Sequence, residues 1–166
     1  SSIATLSVAE NIALRALPKK KFVIDQGALN AKALKLMQRV GLQNIDPTSP
    51  TEALSLADRQ LLEIAKAISF DCQLLILDEP TSALGVRQTA NVLATIDRVR
   101  KQGIGVVFIT HNVRHAMAVG DRFTILNRGQ TLGTAVRGDV TAEALQDLMA
   151  GGQKLAELEG TLGGTV

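Results

Sequence analysis

The sequence predicts an α/β protein with a mostly parallel sheet core and a helical subdomain. Two short, largely apolar stretches, at residues 74–77 and 105–110, are typical of strands buried on both faces of a parallel sheet. Apolar residues at helical spacing occupy residues 86–101 between them. A strand, helix and strand of this length form a parallel pair with a right-handed crossover. Residues 1–70, in contrast, show helical patterns only.

Composition sets limits on the function. The 166 residues are 46% hydrophobic and 20% charged, which is typical of a globular chain. The net charge of +2 is scattered along the chain and argues against a nucleic-acid partner. Cys72 is the only cysteine and excludes an internal disulfide. We expect a helical subdomain at residues 1–70, an α/β core at 71–150 and a tail at 151–166.

The N-terminal part is predicted to contain two helices. Ser7 and Glu10 have the spacing of a capping box, so a helix should follow and end before Pro18. A second helix should span about residues 29–40 and end at Gly41. Lysines 19–21 are interpreted as a solvated loop, with contact to lipid headgroups as the alternative. The face of the second helix predicted to be buried holds Ala33, Leu36, Met37 and Val40.

A third helix is predicted to begin after Ser55, whose hydroxyl can cap it and whose partner Asp58 complements the helix dipole. A helix N-terminus of this kind can also bind phosphate. The buried face of the helix is expected to hold Leu61, Ile64, Ala65 and Ile68. Downstream, we expect a helix at 113–119, a hairpin over 122–136 that turns near Gly129, and a helix at 141–149.

Two adjacent carboxylates, Asp78 and Glu79, end the first apolar run, and Pro80 prevents the strand from continuing. Ligands of open α/β sheets bind at the carboxyl ends of the strands, and paired acids there favour Mg²⁺ with nucleotide phosphates. His111 follows the second strand and should reach the same sheet edge. A metal pair of His111 and His115 is disfavoured, because a strand end and a helix do not present the two rings on one face.

These motifs resemble those of ABC-transporter ATPases. Residues 74–84 are similar to the Walker B motif and D-loop, 54–60 to the signature motif, and 110–112 to the switch-histidine region. Residues 82–87, 65–67 and 149–152 are similar to the simple-sugar importer branch. The resemblance implies an enzyme that binds ATP and Mg²⁺ and hydrolyses ATP to drive monosaccharide import.

The resemblance also implies a role for each motif. Asp78 would hold Mg²⁺ through water, Glu79 would polarise the attacking water, and His111 would contact the γ-phosphate. The D-loop residues would link the two ATP sites of a dimer, and the signature residues would face the ATP of the opposing subunit. The D-loop residues are Ser82, Ala83 and Leu84, and the signature residues are Ser55, Leu56, Ala57, Asp58, Arg59 and Gln60.

The sequence departs from the family pattern in two places. Leu56 and Ala57 occupy positions where glycines normally allow close approach to the phosphate. The printed sequence contains no Gly-x-x-x-x-Gly-Lys-Ser/Thr phosphate loop. We therefore interpret the chain as the C-terminal two-thirds of an ATPase, with open sheet edges and little ATP binding of its own.

The partners implied are a second ATPase subunit or tandem domain, membrane permease subunits, and a sugar-binding protein. The protein would then lie peripherally on the cytoplasmic face of the membrane, and its helical part before Leu54 would contact the permease. Two alternatives remain at this point. One is a non-catalytic regulatory or structural subunit, suggested by Leu56 and Ala57, and the other is a soluble ABC ATPase without a transport role.

Overall fold

The computed structural model describes residues 3–14, 19–20 and 23–150. The chain divides into two compact units between Ile109 and Thr110. The predicted boundary at residue 70 does not coincide with this division, because the helices on either side of it pack against each other. The predicted tail at 151–166 lies outside the described residues.

Among the residues that the structure describes, the first unit contains four α-helices, one 3₁₀ helix and two small sheets. Its elements in chain order are α1 (Val8–Ile12), β1 (Lys19–Lys20), β2 (Val23–Ile24), α2 (Gln26–Val40), a 3₁₀ helix (Thr51–Ala53), α3 (Leu56–Ile68), β3 (Leu74–Asp78), α4 (Val86–Lys101) and β4 (Gly105–Ile109). Helices α2 and α3 pack against each other and against both α1 and α4. The core of this unit therefore lies among the helices.

The helix termini follow the predicted caps. Ser7 begins α1 with a complete capping box to Glu10, and Gly41 ends α2 at a φ of +76°. Helix α1 is shorter than predicted, while α2 begins at Gln26 because the Asp25 carboxylate accepts a hydrogen bond from the Ala28 amide. Lys19 and Lys20, predicted in a loop, pair with Val23–Ile24 as a short antiparallel hairpin.

The predicted buried faces of α2 and α3 are confirmed. For α4 the helical spacing of apolar residues predicts a buried face of Ala90, Leu93, Ile96 and Val99 or Arg100, and of these only Ile96 and Val99 are buried. Ala90 and Arg100 are exposed, whereas Thr95 is buried and donates its hydroxyl to the Val40 carbonyl at 2.7 Å. The buried side chains of α4 are Thr89, Val92, Thr95, Ile96 and Val99. Two buried threonines, each with a methyl and a hydroxyl, thus replace aliphatic residues on the core face.

The parallel pairing of β3 with β4 confirms the predicted strand–helix–strand unit. The prediction that both faces are buried is wrong for these strands. Leu75 is buried, but Leu74 and Ile76 on the opposite face are 56% and 62% exposed, and Val107 and Ile109 beside them are 43% and 47% exposed. Among the described strands, β3 and β4 form a two-stranded sheet, and this face of it is exposed.

The second unit consists of α5 (Val113–Val119), β5 (Arg122–Asn127), β6 (Gln130–Val136) and α6 (Ala142–Ala150). β5 and β6 form the predicted antiparallel hairpin, and Arg128 and Gly129 turn it with φ values of +48° and +78°. Its small core holds Val113, Phe123, Ile125 and Leu145. Within the described ranges of the chain, no helix is long and apolar enough to cross a membrane.

Candidate functional site

The two predicted catalytic carboxylates lie at the carboxyl end of β3. Asp78 is the last residue of the strand and pairs with Ile109 of β4. The Glu79 amide donates to the Ile109 carbonyl at 2.9 Å, so the chain remains attached to the sheet for one residue more. Asp78 is exposed and Glu79 is half-buried. Both carboxylates therefore stand at the sheet edge where ligands of this fold class bind.

Glu79 occupies a tight turn with an unusual backbone conformation. Its φ is +46°, in the left-handed region, and Ala83 follows at +58°. The Ser82 amide and hydroxyl both donate to the Glu79 carbonyl, at 3.1 and 2.9 Å. Pro80 disfavours the right-handed helical region for the residue before it. A left-handed non-glycine residue costs about 1 kcal/mol or more, and such strain is concentrated at functional sites.

The predicted D-loop continues this turn towards α4. Pro80 and Thr81 are buried, whereas Ser82 and Ala83 are exposed and Leu84 is half-buried. Gly85 begins α4, and its amide donates to the Gln88 side-chain oxygen at 3.3 Å. The buried Pro80 and Thr81 thus fix the turn, and Ser82 and Ala83 lie at the surface.

The predicted signature motif forms the start of α3. The Ser55 hydroxyl accepts a hydrogen bond from the Asp58 amide at 3.2 Å and donates to the Asp58 carboxylate at 2.6 Å. Arg59 donates to the Glu52 carbonyl at 2.8 Å, which fixes the helix start to the preceding 3₁₀ helix. Gln60 is half-buried on the first turn. The helix start is therefore ordered by its own side chains.

The two residues at the usual glycine positions lie on different sides of α3. Leu56 is 47% exposed, whereas Ala57 is 5% exposed and faces the helical core. Only Leu56 therefore adds bulk at the surface of the helix start, and Ala57 acts as a small core residue.

His111 lies between β4 and α5, at the start of the second unit, and is exposed. The next residue, Asn112, caps α5 by accepting a hydrogen bond from the His115 amide at 3.3 Å, and its own amide donates to the Thr110 hydroxyl. In the chain, His111 comes two residues after Ile109, the last residue of β4. Its contact with a γ-phosphate stays a prediction.

A magnesium site at Asp78 agrees with the chemistry of the residues present. The side chain of Asp78 forms no hydrogen bond or ion pair with any other residue that the structure describes. The same part of the chain holds no group of three or more histidine, cysteine or acidic side chains placed to bind a metal. Mg²⁺ usually binds one or two carboxylates and completes its shell with water and phosphate oxygens. Asp78 therefore suits a magnesium–nucleotide complex better than a protein-only metal site.

Sequence patterns gave no indication of two buried polar residues in the first unit. Asn11 and Thr51 are each 1% exposed. Both hydrogen-bond to the backbone of residues 3–7, ahead of α1. A single asparagine in a helix and a threonine in a loop are unremarkable in a sequence, so only the structure reveals their burial.

A parallel strand–helix–strand unit with paired carboxylates at a strand end is typical of nucleotide-binding α/β proteins. Residues 2–82, just under half of the chain, match the family model described as ABC transporter. The chain is 40% identical, over 147 residues, to a Burkholderia lata protein named as a ribose/galactose/methyl galactoside import ATP-binding protein. It is 37% identical, over 149 residues, to the ribose import ATP-binding protein RbsA 1 of Rubrobacter xylanophilus. These matches cover 88% and 90% of the chain but only 28% and 30% of the relatives.

Solved structures of ABC-transporter proteins have the same fold. An inward-facing metal-chelate type ABC transporter superposes with a TM-score of 0.72 at 29% identity, covering 90% of this chain and 61% of that one. A dimeric ATP-binding cassette in a post-hydrolysis state with ADP and Pi superposes with a TM-score of 0.67 at 22% identity, covering 82% of this chain and 59% of that one.

Proposed function

We propose that this chain is part of an ATP-hydrolysing subunit that powers import of a monosaccharide across a membrane. The observation that supports this most directly is the turn at residues 78–82, where two carboxylates follow a parallel strand and Ser82 holds the Glu79 backbone. The names of the relatives support ATP-driven sugar import. Since the chain spans less than a third of these relatives, the activity belongs to the whole protein.

In this proposal the two carboxylates divide the work. Phosphoryl transfer depends mainly on positioning and on neutralising charge. Asp78 would hold Mg²⁺ through water, and the ion would neutralise charge on the phosphate oxygens. Glu79 would orient the attacking water and accept hydrogen bonding from it, because the turn fixes its backbone. His111 would contact the γ-phosphate from the chain that follows β4.

The remaining site residues would act across a dimer of ATPase subunits or tandem domains. The start of α3, with Ser55 and its neighbours up to Gln60, would face the nucleotide of the opposing subunit. The exposed Ser82 and Ala83 would contact that subunit next to its ATP. The dimeric neighbour with bound ADP and Pi has the same fold, which supports a paired arrangement.

The membrane partner would dock on the helical part before Leu54. A groove of about 460 Å³ lies along the end of α2, between Leu34 and Ile45, and Leu34 is 43% exposed beside it. A permease segment would bind in this groove, and the protein would lie on the cytoplasmic face of the membrane. A separate binding protein would deliver the sugar. Charge reversal at Lys32 and Lys35, both exposed on α2, should then reduce assembly of the whole protein with its permease. Unchanged assembly would contradict this docking site.

The activity can be tested in a chimaera in which residues 3–150 replace the matching segment of the Burkholderia lata relative. Glu79→Gln should lower its ATPase rate about a hundredfold or more, as expected for loss of a general base. Glu63→Gln is the matched control, since Glu63 is also half-buried but pairs with Lys66 on α3. A Glu79→Gln rate equal to that of the control would contradict a catalytic role.

A non-catalytic partner subunit is the second candidate, favoured by the exposed Leu56 at the start of α3. For such a subunit, Glu79→Gln would leave the ATPase rate unchanged. An ABC ATPase without a transport role would retain activity but would not assemble with a permease.

The chain by itself should bind ATP weakly, because its sequence holds no phosphate loop. Titration of Mg-ATP into the 166-residue protein, followed by thermal unfolding, tests this directly. A ligand that binds only the folded state raises the melting temperature. We expect no shift, and a clear shift would show that the β3 end and the helix N-termini bind nucleotide without that loop.

A further inference from the structure

Two buried polar side chains, Asn11 on α1 and Thr51 in the loop that leads to α3, both hydrogen-bond to the segment before α1. The Asn11 side chain accepts a hydrogen bond from the Ile3 amide at 2.8 Å. Its amide group donates to the carbonyls of Ile3, Leu6 and Ser7 at 3.0, 3.2 and 3.0 Å. An asparagine that is 1% exposed thereby satisfies its hydrogen-bonding capacity entirely with backbone, which holds residues 3–7 in one conformation.

Thr51 approaches the same segment from the other side. Its hydroxyl contacts the carbonyls of Ile3 and Ala4 at 2.9 and 3.2 Å, and its amide donates to the Leu6 carbonyl at 3.2 Å. Two further backbone bonds, from the Val8 and Ala9 amides to residues 47–49, extend this contact along α1. The segment and the first turn of α1 are therefore joined to the loop by at least four hydrogen bonds.

Thr51 is also the first residue of the 3₁₀ helix that ends two residues before Ser55. The Leu54 amide donates to the Thr51 carbonyl at 3.2 Å, and Leu54 is buried. Arg59 reaches back from α3 to the Glu52 carbonyl. Hence a shift of Thr51 would move both the backbone before Ser55 and the acceptor that holds Arg59.

From these contacts we propose that Asn11 and Thr51 are positioning residues for Ser55. They tie residues 3–6 to the start of α3, so that the placement of the Ser55 hydroxyl depends on a segment about fifty residues earlier in the chain. The proposal rests on the proposed function in one respect, which is that Ser55 faces a nucleotide. The physical link itself is independent of nucleotide.

Amide hydrogen exchange in the 166-residue chain tests the link. Thr51→Val removes the hydroxyl and keeps the shape, whereas Thr51→Ser keeps the hydroxyl. Loss of one hydrogen bond should speed exchange of the Leu54, Asp58 and Arg59 amides about fivefold in Thr51→Val. Thr51→Ser should restore the slow exchange, and the amides of β3 and β4 should not change in either variant.

Thr95→Val is the matched control, because Thr95 is also a buried threonine that donates its hydroxyl to a backbone carbonyl, at the end of α2. It should not affect the amides at the start of α3. An equal acceleration by Thr95→Val would mean that Thr51 acts only through overall stability, and this would overturn the proposal. No acceleration by Thr51→Val would also overturn it, because Thr51 would then not hold the start of α3.

Native-state exchange of the unaltered chain provides a second test if Thr51→Val does not fold. Amides of residues 3–6 and 51–59 should then open as one cooperative unit at low denaturant concentration. Separate opening of the two segments would overturn the link.

In the chimaera, Thr51→Val should lower kcat about fivefold without a matching rise in KM for ATP, and Thr51→Ser should behave as the parent. A chimaera that is inactive without any substitution counts against the proposed function alone, and the exchange result still decides the link. An active chimaera in which Thr51→Val keeps its kcat counts against the positioning role.

Discussion

The start of α3 and the end of β3 are both predicted to face nucleotide, yet they are built differently. At the start of α3, Ser55 and Asp58 form an ordinary helix cap in which every backbone conformation is relaxed. At the end of β3, Glu79 and Ala83 both adopt left-handed conformations within five residues. The start of α3 is ordered by local side-chain hydrogen bonds. The end of β3 is held in its strained backbone conformation by the sheet and by the buried Pro80.

This difference explains why the two regions should tolerate substitution differently. The cap at Ser55 can form in any helix with a suitable residue, so changes on its exposed side should alter contacts more than stability. The turn at Glu79 exists only while the parallel strands and Ser82 hold it. We therefore expect exposed changes at the α3 start to be mild, and conformational changes at the β3 end to affect stability in either direction.

The largest expected effect separates the two faces of α3. Leu62 is 0% exposed, whereas Leu56 lies at the helix start and is half in solvent. Leu62→Ala should lower the free energy of unfolding by about 3 kcal/mol through the lost contacts and the cavity. Leu56→Ala should change it by less than about 0.5 kcal/mol. Urea unfolding of the 166-residue chain measures both values. A large loss in Leu56→Ala would show that Leu56 supports the fold.

A smaller effect, opposite in sign at two alanines, tests the strain at the β3 end. Ala83 has a φ of +58°, so Ala83→Gly should stabilise the chain by up to about 1 kcal/mol. Ala90 is exposed within α4, where Ala90→Gly should destabilise by about 1 kcal/mol. The two urea midpoints should move in opposite directions. If both substitutions destabilise equally, the turn is not strained.

The smallest effect concerns the cap of α1, which has the same spacing as the cap of α3. Hydrogen bonds from the Ser7 amide and then from its hydroxyl lower the pKa of Glu10. Because the pKa in the folded state is below that of the unfolded chain, about 4.3, the stabilisation is complete above that pH and is lost as the pH falls through the folded value.

Glu10→Gln should therefore reduce stability by about 1 kcal/mol or less at pH 7 and by progressively less in acid. The difference between the parent and Glu10→Gln, measured by urea unfolding from pH 7 to pH 3, isolates this residue from other acids. A difference that does not change over this range would contradict the role of the ionised carboxylate.

The sequence was sufficient to predict features that depend on local chemistry. Ser7, Gly41 and Ser55 each act at the helix end where they were expected, because a cap needs only a hydroxyl or a free φ at one position. The parallel pairing of β3 with β4 followed from the length of the connection. Asp78 and Glu79 could be placed at the carboxyl end of β3 because Pro80 prevents the strand from continuing.

Features that depend on tertiary contacts could not be predicted. The left-handed backbone of Glu79 results from competition between Pro80, Ser82 and the pairing with β4, which no residue type encodes alone. Thr95 occupies the core of α4 because a carbonyl of α2 accepts its hydroxyl. The hydrogen bonds of the buried Thr51 likewise depend on two segments 48 residues apart meeting in the fold.

The uncovered face of β3 and β4 has a practical consequence for work with this chain. Leu74, Ile76, Val107 and Ile109 place four large apolar side chains side by side on a two-stranded sheet. Exposed apolar surface on a sheet with unpaired edges promotes sticking between molecules as the concentration rises. Light scattering per molecule should therefore increase with protein concentration. The fluorescence of a dye that emits in apolar surroundings should increase when the dye is added to the folded chain. Ile76→Lys should suppress both signals without altering the predicted catalytic carboxylates.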